Sequence, residues 1–181
     1  MCNKFKLSGG HQQWLDLMSA TNGGGWVGGP GWDGIPFSPG SMIAAFKLRG
    51  DKLDSSIERW GIPKFGTSDQ FIYNARAESL LEKDFWNYFV KVEPRVIPCG
   101  EFIEKDQAFS AKTPFLMPAV ARPEGLAIIT SRANQLVMPY HDRMPIMMTP
   151  AEAQEWIRNP ESIQKYATPW DPKFMLMAQV A

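Results

Sequence analysis

Position two of the chain is a cysteine. Removal of Met1 ahead of so small a side chain would leave Cys2 carrying a free amine and a thiol on one residue. With an α-amino pKa of about 7.7–8.0, roughly 10–20% of that amine is neutral at pH 7, and a thiol with a pKa of about 8.5 keeps a small thiolate fraction. An amine alone condenses with an aldehyde to a reversible imine. A neighbouring thiol can add to that imine and close a five-membered thiazolidine, so the pair points to a carbonyl target. A cysteine there would equally serve as a small apolar residue near the start of a strand. Three other strings carry polar chemistry. In Tyr140-His141-Asp142-Arg143-Met144-Pro145 an imidazole stands between an acid and a guanidinium, which suits proton transfer or an anionic substrate, and also suits a surface turn. In Cys99-Gly100-Glu101-Phe102-Ile103-Glu104-Lys105, alternation puts Phe102 and Glu104 on one face and Cys99, Glu101 and Ile103 on the other. A carboxylate sharing a face with an aromatic is a candidate for a raised pKa and acid–base work, or marks where the strand leaves the core. Asn74-Ala75-Arg76 offers an amide to orient an oxygen and a guanidinium to bind phosphate, just where a helix start would also place them. His11 and His141 are the only histidines and form no ligand-spaced pattern with Cys2 and Cys99, so neither a metal nor a cofactor is expected.

The 181 residues fit one domain, and the 44% hydrophobic content with 7 Trp, 11 Phe and 4 Tyr supplies a core. Lysine plus arginine (19) balances aspartate plus glutamate (19), so no global basic field exists and any anion site must be local. No run approaches a membrane span, and MCNKFKLSGG lacks the apolar region of a signal peptide. With two cysteines, these features point to a cytoplasmic protein. A short amphipathic helix is predicted from Ser8 to Ala20 around Trp14, Leu15 and Met18. Eight glycines and three prolines in the eighteen residues from Gly23 to Gly40 predict a loop. Ser41 to Arg49 reads as a strand, Asp51 to Arg59 as a polar excursion and Trp60 to Pro63 as a turn. Leu81, Phe85 and Phe89 are spaced for the packed face of a helix from Glu78 to Val90. Arg95 to Ile103, Thr113 to Val120, Leu126 to Ser131 and Met144 to Met148 read as strands, so a sheet-dominated α+β body is expected. Thr149-Pro150-Ala151-Glu152 opens a helix to about Arg158, and Phe174 to Val180 reads as a closing strand.

Taken in order, Met1-Cys2, Trp60-Gly61 followed by a proline, Asn74-Ala75-Arg76-Ala77-Glu78, Pro98 with Phe102-Ile103-Glu104, Ala127-Ile128-Ile129-Thr130 and His141-Asp142-Arg143-Met144-Pro145 resemble the SRAP family, the SOS response-associated peptidases. The resemblance runs from Cys2 to about Arg158. It implies a mostly β fold, with curved antiparallel sheets forming a barrel-like core and flanking helices, built around the processed N-terminus. It also implies a monomer that binds abasic sites in single-stranded DNA, crosslinks to them covalently and shields the lesion, with autoproteolytic, peptidase-like or lyase activity. By the same resemblance Cys2 is the nucleophile, Asn74 orients the reacting group, Glu104 transfers protons and His141 assists opening of the sugar ring. Lys4, Pro39, Phe65, Arg76, Thr130 and Arg143 would contact DNA, Arg76 and Arg143 at phosphates and Phe65 against the bases. Asn3 and Lys4 stand where the family has glycine and arginine, Lys105 where it has tryptophan, and the stretch from Lys112 to Leu126 is shorter than usual. The chain therefore resembles a compact, divergent member of the kind carried by phages or mobile elements, or one associated with the nucleoid.

Two other classes fit the same residues. A cysteine peptidase would use Cys2 with His141 as base and remove Met1 as its minimal act, although such a mechanism does not need the amine. A non-covalent single-strand binding module would stack bases on Trp26, Trp32 and Phe65 and clamp with Arg76.

Overall fold

The structure is a computed structural model that describes residues 3–9, 11–20, 34–64, 67 and 70–180. In chain order the strands are β1 (Lys4–Lys6), β2 (Pro36–Phe37), β3 (Met42–Arg49), β4 (Lys52–Arg59), β5 (Ile62–Pro63), β6 (Phe71–Ile72), β7 (Asn74–Arg76), β8 (Pro94–Glu104), β9 (Gln107–Arg122), β10 (Gly125–Arg132), β11 (Arg143–Pro145) and β12 (Met175–Gln179). The helices are α1 (His11–Met18), α2 (Asp84–Val92) and α3 (Pro150–Arg158), with 3-10 turns at Ala77–Ser79, Pro160–Tyr166 and Pro172–Phe174. No helix among the described residues is long and apolar enough to cross a membrane.

The frame is the β8–β9 hairpin, paired from Pro94↔Val120 to Glu104↔Gln107. Its two-residue turn holds Lys105 (φ 46°) and Asp106 (φ 64°) in the left-handed region, the geometry whose twist matches that of the flanking strands. Both long strands change partner midway. The start of β8 meets β3 through Phe46↔Val96 and its end meets β1 through Lys4↔Ile103 to Lys6↔Glu101. The outer edge of β9 meets β12 at residues 107–111 and β10 at residues 119–122. The change in β8 coincides with a register shift between Cys99 and Glu101, and such an irregularity bends a strand and re-aims its pairing. The result is a coiled ten-stranded sheet that stays open among the described residues, with β5 and β6 as a separate pair. This is the curved, mostly β body with flanking helices that the resemblance implies.

The sheet is buried on both faces. Val96, Leu116, Ala127 and Ile129 point into one cluster with Trp14, Phe46, Trp86 and Trp156. Their neighbours Ile97, Met117, Leu126 and Ile128 point into another with Phe5, Trp60, Phe102 and Phe109. Burial on both sides is why these strands read as continuous apolar runs. The three helices cover the first cluster, α1 with Trp14, Leu15 and Met18, α2 with Trp86 and Val90, and α3 with Ala153, Trp156 and Ile157. Helix α3 starts on a full capping box: the Thr149 hydroxyl accepts the Glu152 N–H at 3.3 Å and the Glu152 carboxylate accepts the Thr149 N–H at 2.8 Å.

Several elements differ from expectation. Asp51 to Arg59 is no excursion but a strand, β4, paired along its whole length with β3. Its polar side chains find partners there: Asp54 meets Arg49 at 3.3 Å and the Ser56 hydroxyl donates to the Ala45 carbonyl at 3.3 Å, so pairing overrides weak strand propensity. Trp60 to Pro63 runs into β5 rather than a free turn. The helix expected from Glu78 begins at Asp84, after the 3-10 turn, and buries Trp86 and Val90 while Phe85 is 38% exposed. Strand β11 stops at Pro145, and Met148 keeps only a single bridge to Leu116. Of the glycine-rich loop, residues 23–33 lie outside the described residues, and Pro36–Phe37 forms β2. Gly125 (φ 156°) sits where Gly61 donates its N–H to the Leu126 carbonyl at 2.7 Å. A side chain there would strike the Gly61 carbonyl.

Candidate functional site

The end of β8 and the start of β1 lie side by side. Lys4 stands opposite Ile103 and Phe5 opposite Phe102, and Phe5 anchors β1 in the core against Phe37 and Trp60. Glu104 follows at the last position of β8 and is 5% exposed. It shares its face with Phe102, as alternation requires, but the irregularity behind Glu101 turns Cys99 inward to join the Phe102 cluster. Burial pushes the Glu104 carboxyl up from its ordinary value, outweighing the lowering by the positive charges of the amino terminus and Lys105, and Asp142 adds to the rise. Glu101, the other carboxylate of that string, is spent on an ion pair with Lys6 across the strands at 2.8 Å.

A turn-rich segment folds over this face. Phe102 stacks on Phe109 across the hairpin, and Tyr140 packs edge-on against Phe109 with ring centroids 5.6 Å apart. His141 follows directly. Asn134 organises the segment: its side-chain oxygen accepts the Leu136 and Val137 N–H groups at 3.1 Å, and its amide donates to the Trp170 carbonyl at 2.8 Å. His141 donates its own N–H to the Val137 carbonyl at 3.0 Å. Its ring Nδ1 accepts the Arg143 backbone N–H at 2.9 Å, which leaves the proton of the neutral imidazole on Nε2. Asp142 Oδ1 lies 2.9 Å from the same Nδ1 and can accept a hydrogen bond from it only once the ring is protonated. Desolvation and the amino-terminal charge lower the His141 pKa against the opposing pull of Asp142, so the neutral ring is the form favoured near neutrality. Glu104 and His141 thus share one electrostatic neighbourhood with Lys105 and Asp142.

The second group lies on three adjacent strands. Asn74 stands opposite Ile128 and Arg76 opposite Thr130 in the parallel β7–β10 pair, and Arg143 stands opposite Arg132 in the β10–β11 pair. Trp60 supports β7 by donating its ring N–H to the Tyr73 carbonyl at 2.9 Å. Thr130 is fully buried and donates its hydroxyl to the Ala75 carbonyl at 3.1 Å. Arg143 is 7% exposed, and its fork grips both Glu78 oxygens at 2.7 and 2.9 Å while also reaching the Thr130 carbonyl. This pairing holds the Glu78 carboxyl below its ordinary value. Thr130 and Arg143 therefore brace β7, β10 and β11 and, through the Arg143 N–H, the imidazole. Arg76 is exposed.

Asn74, Glu104, His141, Arg76, Thr130 and Arg143 are thereby placed on described elements. Lys4 is exposed on β1. Pro39 is half-buried in the turn Ser38–Ser41, where Gly40 has φ 99° and donates its N–H to the Trp60 carbonyl at 2.6 Å. Cys2, Phe65, Trp26 and Trp32 lie outside the described residues. Three residues of the site carried no role from the sequence. Glu78 and Asp142 stood inside the quoted strings as possible partners of an arginine and a histidine, whereas Asn134 offered no signal beyond its ability to cap a turn.

Residues 118–181 match the SOS response associated peptidase (SRAP) family. The chain is 29% identical over 151 residues to abasic site processing protein YoqW of Bacillus subtilis (strain 168), and likewise to that of Bacillus phage SPbeta, covering 68% of this chain and 67% of the relative. It is 27% identical over 152 residues to abasic site processing protein YobE of Bacillus subtilis (strain 168), covering 68% of this chain and 69% of that one. Its fold is similar to the crystal structure of a Bordetella bronchiseptica protein with a TM-score of 0.79 at 15% identity, covering 99% of this chain and 100% of the other. A Bacteroides thetaiotaomicron protein gives 0.75 at 17% identity, covering 99% and 92%.

Proposed function

The chain belongs to the SRAP family, and on that premise we propose that it attaches itself covalently to abasic sites in single-stranded DNA through Cys2, the first residue once Met1 is removed. The observation that carries this reading is the register of β1 on β8. Lys4 lies opposite Ile103, one residue from Glu104, and two peptide units hold the Cys2 Cα within about 7.6 Å of the Lys4 Cα.

The steps follow from these groups. An abasic deoxyribose opens to an aldehyde at C1′, and the neutral His141 ring, with its proton on Nε2, hydrogen-bonds the sugar oxygen as the hemiacetal opens. The Cys2 amine adds to C1′ to give a carbinolamine. Glu104, whose raised pKa keeps a protonated fraction available, donates to the departing hydroxyl, and water leaves. The Cys2 sulfur then adds to the iminium carbon and its proton returns to the Glu104 carboxylate. The sum is protein plus aldehyde to thiazolidine plus one water. Asn74 orients the reacting group, and Lys4 and Arg76 hold the strand. In this reading the whole chain acts as one domain and as a monomer, and the adduct shields the lesion.

The deciding experiment is the intact mass before and after mixing with a single-stranded oligonucleotide carrying one abasic site, beside an undamaged control. The expected result is a starting mass lacking methionine, then an adduct equal to protein plus DNA less water, lost in Cys2→Ser. Retained methionine with no adduct overturns the covalent reading. DNA binding that persists in Cys2→Ser without an adduct in the wild type marks a binding module instead.

A further inference from the structure

We propose that Arg132 and Arg76 form a two-guanidinium seat for one phosphodiester of the bound strand, an inference that rests on the reading of the chain as a single-stranded DNA binder. Nothing in the sequence strings or the family resemblance assigned Arg132 a role.

The register places it. Arg76 stands opposite Thr130 on the parallel neighbour strand, Arg132 stands opposite Arg143 on the other side, and residues 130 and 132 of β10 return to the same face. Three guanidiniums therefore rise from one face of three adjacent strands. They line a hollow of about 380 Å³ together with Met138 and Asp142. The three are not equivalent. The fork of Arg143 is closed on Glu78 and that residue is buried. Arg76 and Arg132 are exposed, and among the described residues neither has an ion-pair or hydrogen-bond partner for its guanidinium. With both Glu78 oxygens occupied by Arg143, the two open forks are left for an anion from outside.

The carboxylates at the hollow give it direction. Glu78 lies on the Arg143 side, already paired, and the charge of Arg132 reaches it only at a distance. Asp142 sits on the His141 side with its side chain 76% exposed, and there it repels an anion from the proton-transfer groups. A phosphate is thus directed toward Arg76 and Arg132, with the 49% exposed Met138 offering an apolar edge to the adjoining sugar or base. A phosphodiester seated here lies one strand away from the segment that carries His141.

The test is binding of an undamaged single-stranded oligonucleotide by fluorescence anisotropy across a salt series, for wild type, Arg132→Ala, Arg132→Lys and Arg76→Ala. Each neutralised phosphate of a single strand contributes about 0.7 to the slope of log affinity against log salt. Arg132→Ala is expected to lower that slope by about 0.7 and to weaken binding roughly three- to tenfold at low salt. Arg132→Lys should keep the slope and lose only part of the affinity, because the charge stays and the fork goes. On the abasic oligonucleotide the effect should fall on the half-saturating DNA concentration rather than on the maximal rate of adduct formation. An unchanged slope in Arg132→Ala, in a wild type that binds and forms the adduct, overturns this inference alone. A lowered melting temperature with an unchanged slope assigns Arg132 to structure and likewise overturns it. A wild type that binds neither oligonucleotide overturns the parent reading and this one with it.

Discussion

Strand β8 buries a charge near each of its ends, and the two ends handle that charge differently. Near its start Arg95, 8% exposed, donates to Glu58 at 2.7 Å, to Glu93 at 2.8 Å and to the Pro94 carbonyl at 3.1 Å. Glu58 also accepts the Ser56 hydroxyl at 2.6 Å, so this cluster ties the β3–β4 hairpin to β8 by charge matching. At the far end Glu104 is as deeply buried, yet desolvation outweighs the cations near it and its pKa rises. A charge surrounded by opposite charge and donors ties neighbouring strands together, which suits architecture. A carboxyl whose burial is incompletely offset sits close to the point where it gives or takes a proton, which suits chemistry.

The sharpest way to break this contrast is Glu104→Gln. Loss of one positioned acid–base group lowers rates by about 10²–10⁴, and that drop is expected in adduct formation on saturating abasic oligonucleotide. The stability sign is also set. With its folded pKa above the ordinary 4.5, Glu104 holds a proton that the unfolded chain releases, so its contribution to stability falls as pH rises through the interval between the two values. His141 works in the other direction, because its folded pKa lies below the ordinary 6.5 and stability rises with pH up to that value. Melting curves of Glu104→Gln between pH 4 and pH 8 should lose the first component and keep the second. A rate within threefold of wild type would remove Glu104 from the chemistry.

Arg95→Ala tests the other end. Removing one partner of a buried charge cluster costs about 3 kcal/mol, measurable by urea unfolding, while protein kept folded in the cold should form the adduct at the wild-type rate. A neutral substitution would show that the Arg95 cluster is no more than surface pairing.

The same two ends show what could be read from the sequence. The strands around Val96, Leu116 and Ile128 were legible because burial on both faces leaves unbroken apolar runs, and the alternation of Phe102 with Glu104 was legible because it is local. The polar strand β4 was not, since Asp54, Ser55 and Ser56 gain strand structure only from β3 beside them. The inward turn of Cys99 follows from a register irregularity that no alternation rule contains. The pairing of Arg143 with Glu78 was not legible, because the two residues lie 65 positions apart. Arg132 gained meaning only from the β7–β10–β11 register.

A smaller effect separates bracing from binding at Arg143. Arg143→Lys replaces a fork on Glu78 by a point charge. Because Glu78 is nearly half exposed, the expected loss is about 1 kcal/mol. The Glu78 contribution is present above the ordinary carboxylate value and lost as pH falls through its lowered folded value, so the variant should show a weaker acid-side loss of stability than wild type. Equal acid-side curves would detach Glu78 from Arg143.

The smallest expected change lies at the hairpin tip, where structure and chemistry meet in two adjacent residues. Lys105 and Asp106 both adopt left-handed backbone, which Asn and Gly accept more readily, so the pair Lys105→Asn with Asp106→Gly should stabilise the fold by about 0.5–1 kcal/mol. The same pair removes a positive charge that lowers both Glu104 and His141. Their pKa values should therefore rise, moving the alkaline fall of the adduct-forming rate to higher pH. Asp106→Gly alone relieves backbone strain and leaves Lys105 in place. A pH profile that shifts in the double variant and stays still in the single one would show that Lys105 tunes the buried carboxyl beside it, and a profile that shifts equally in both would tie the change to the turn.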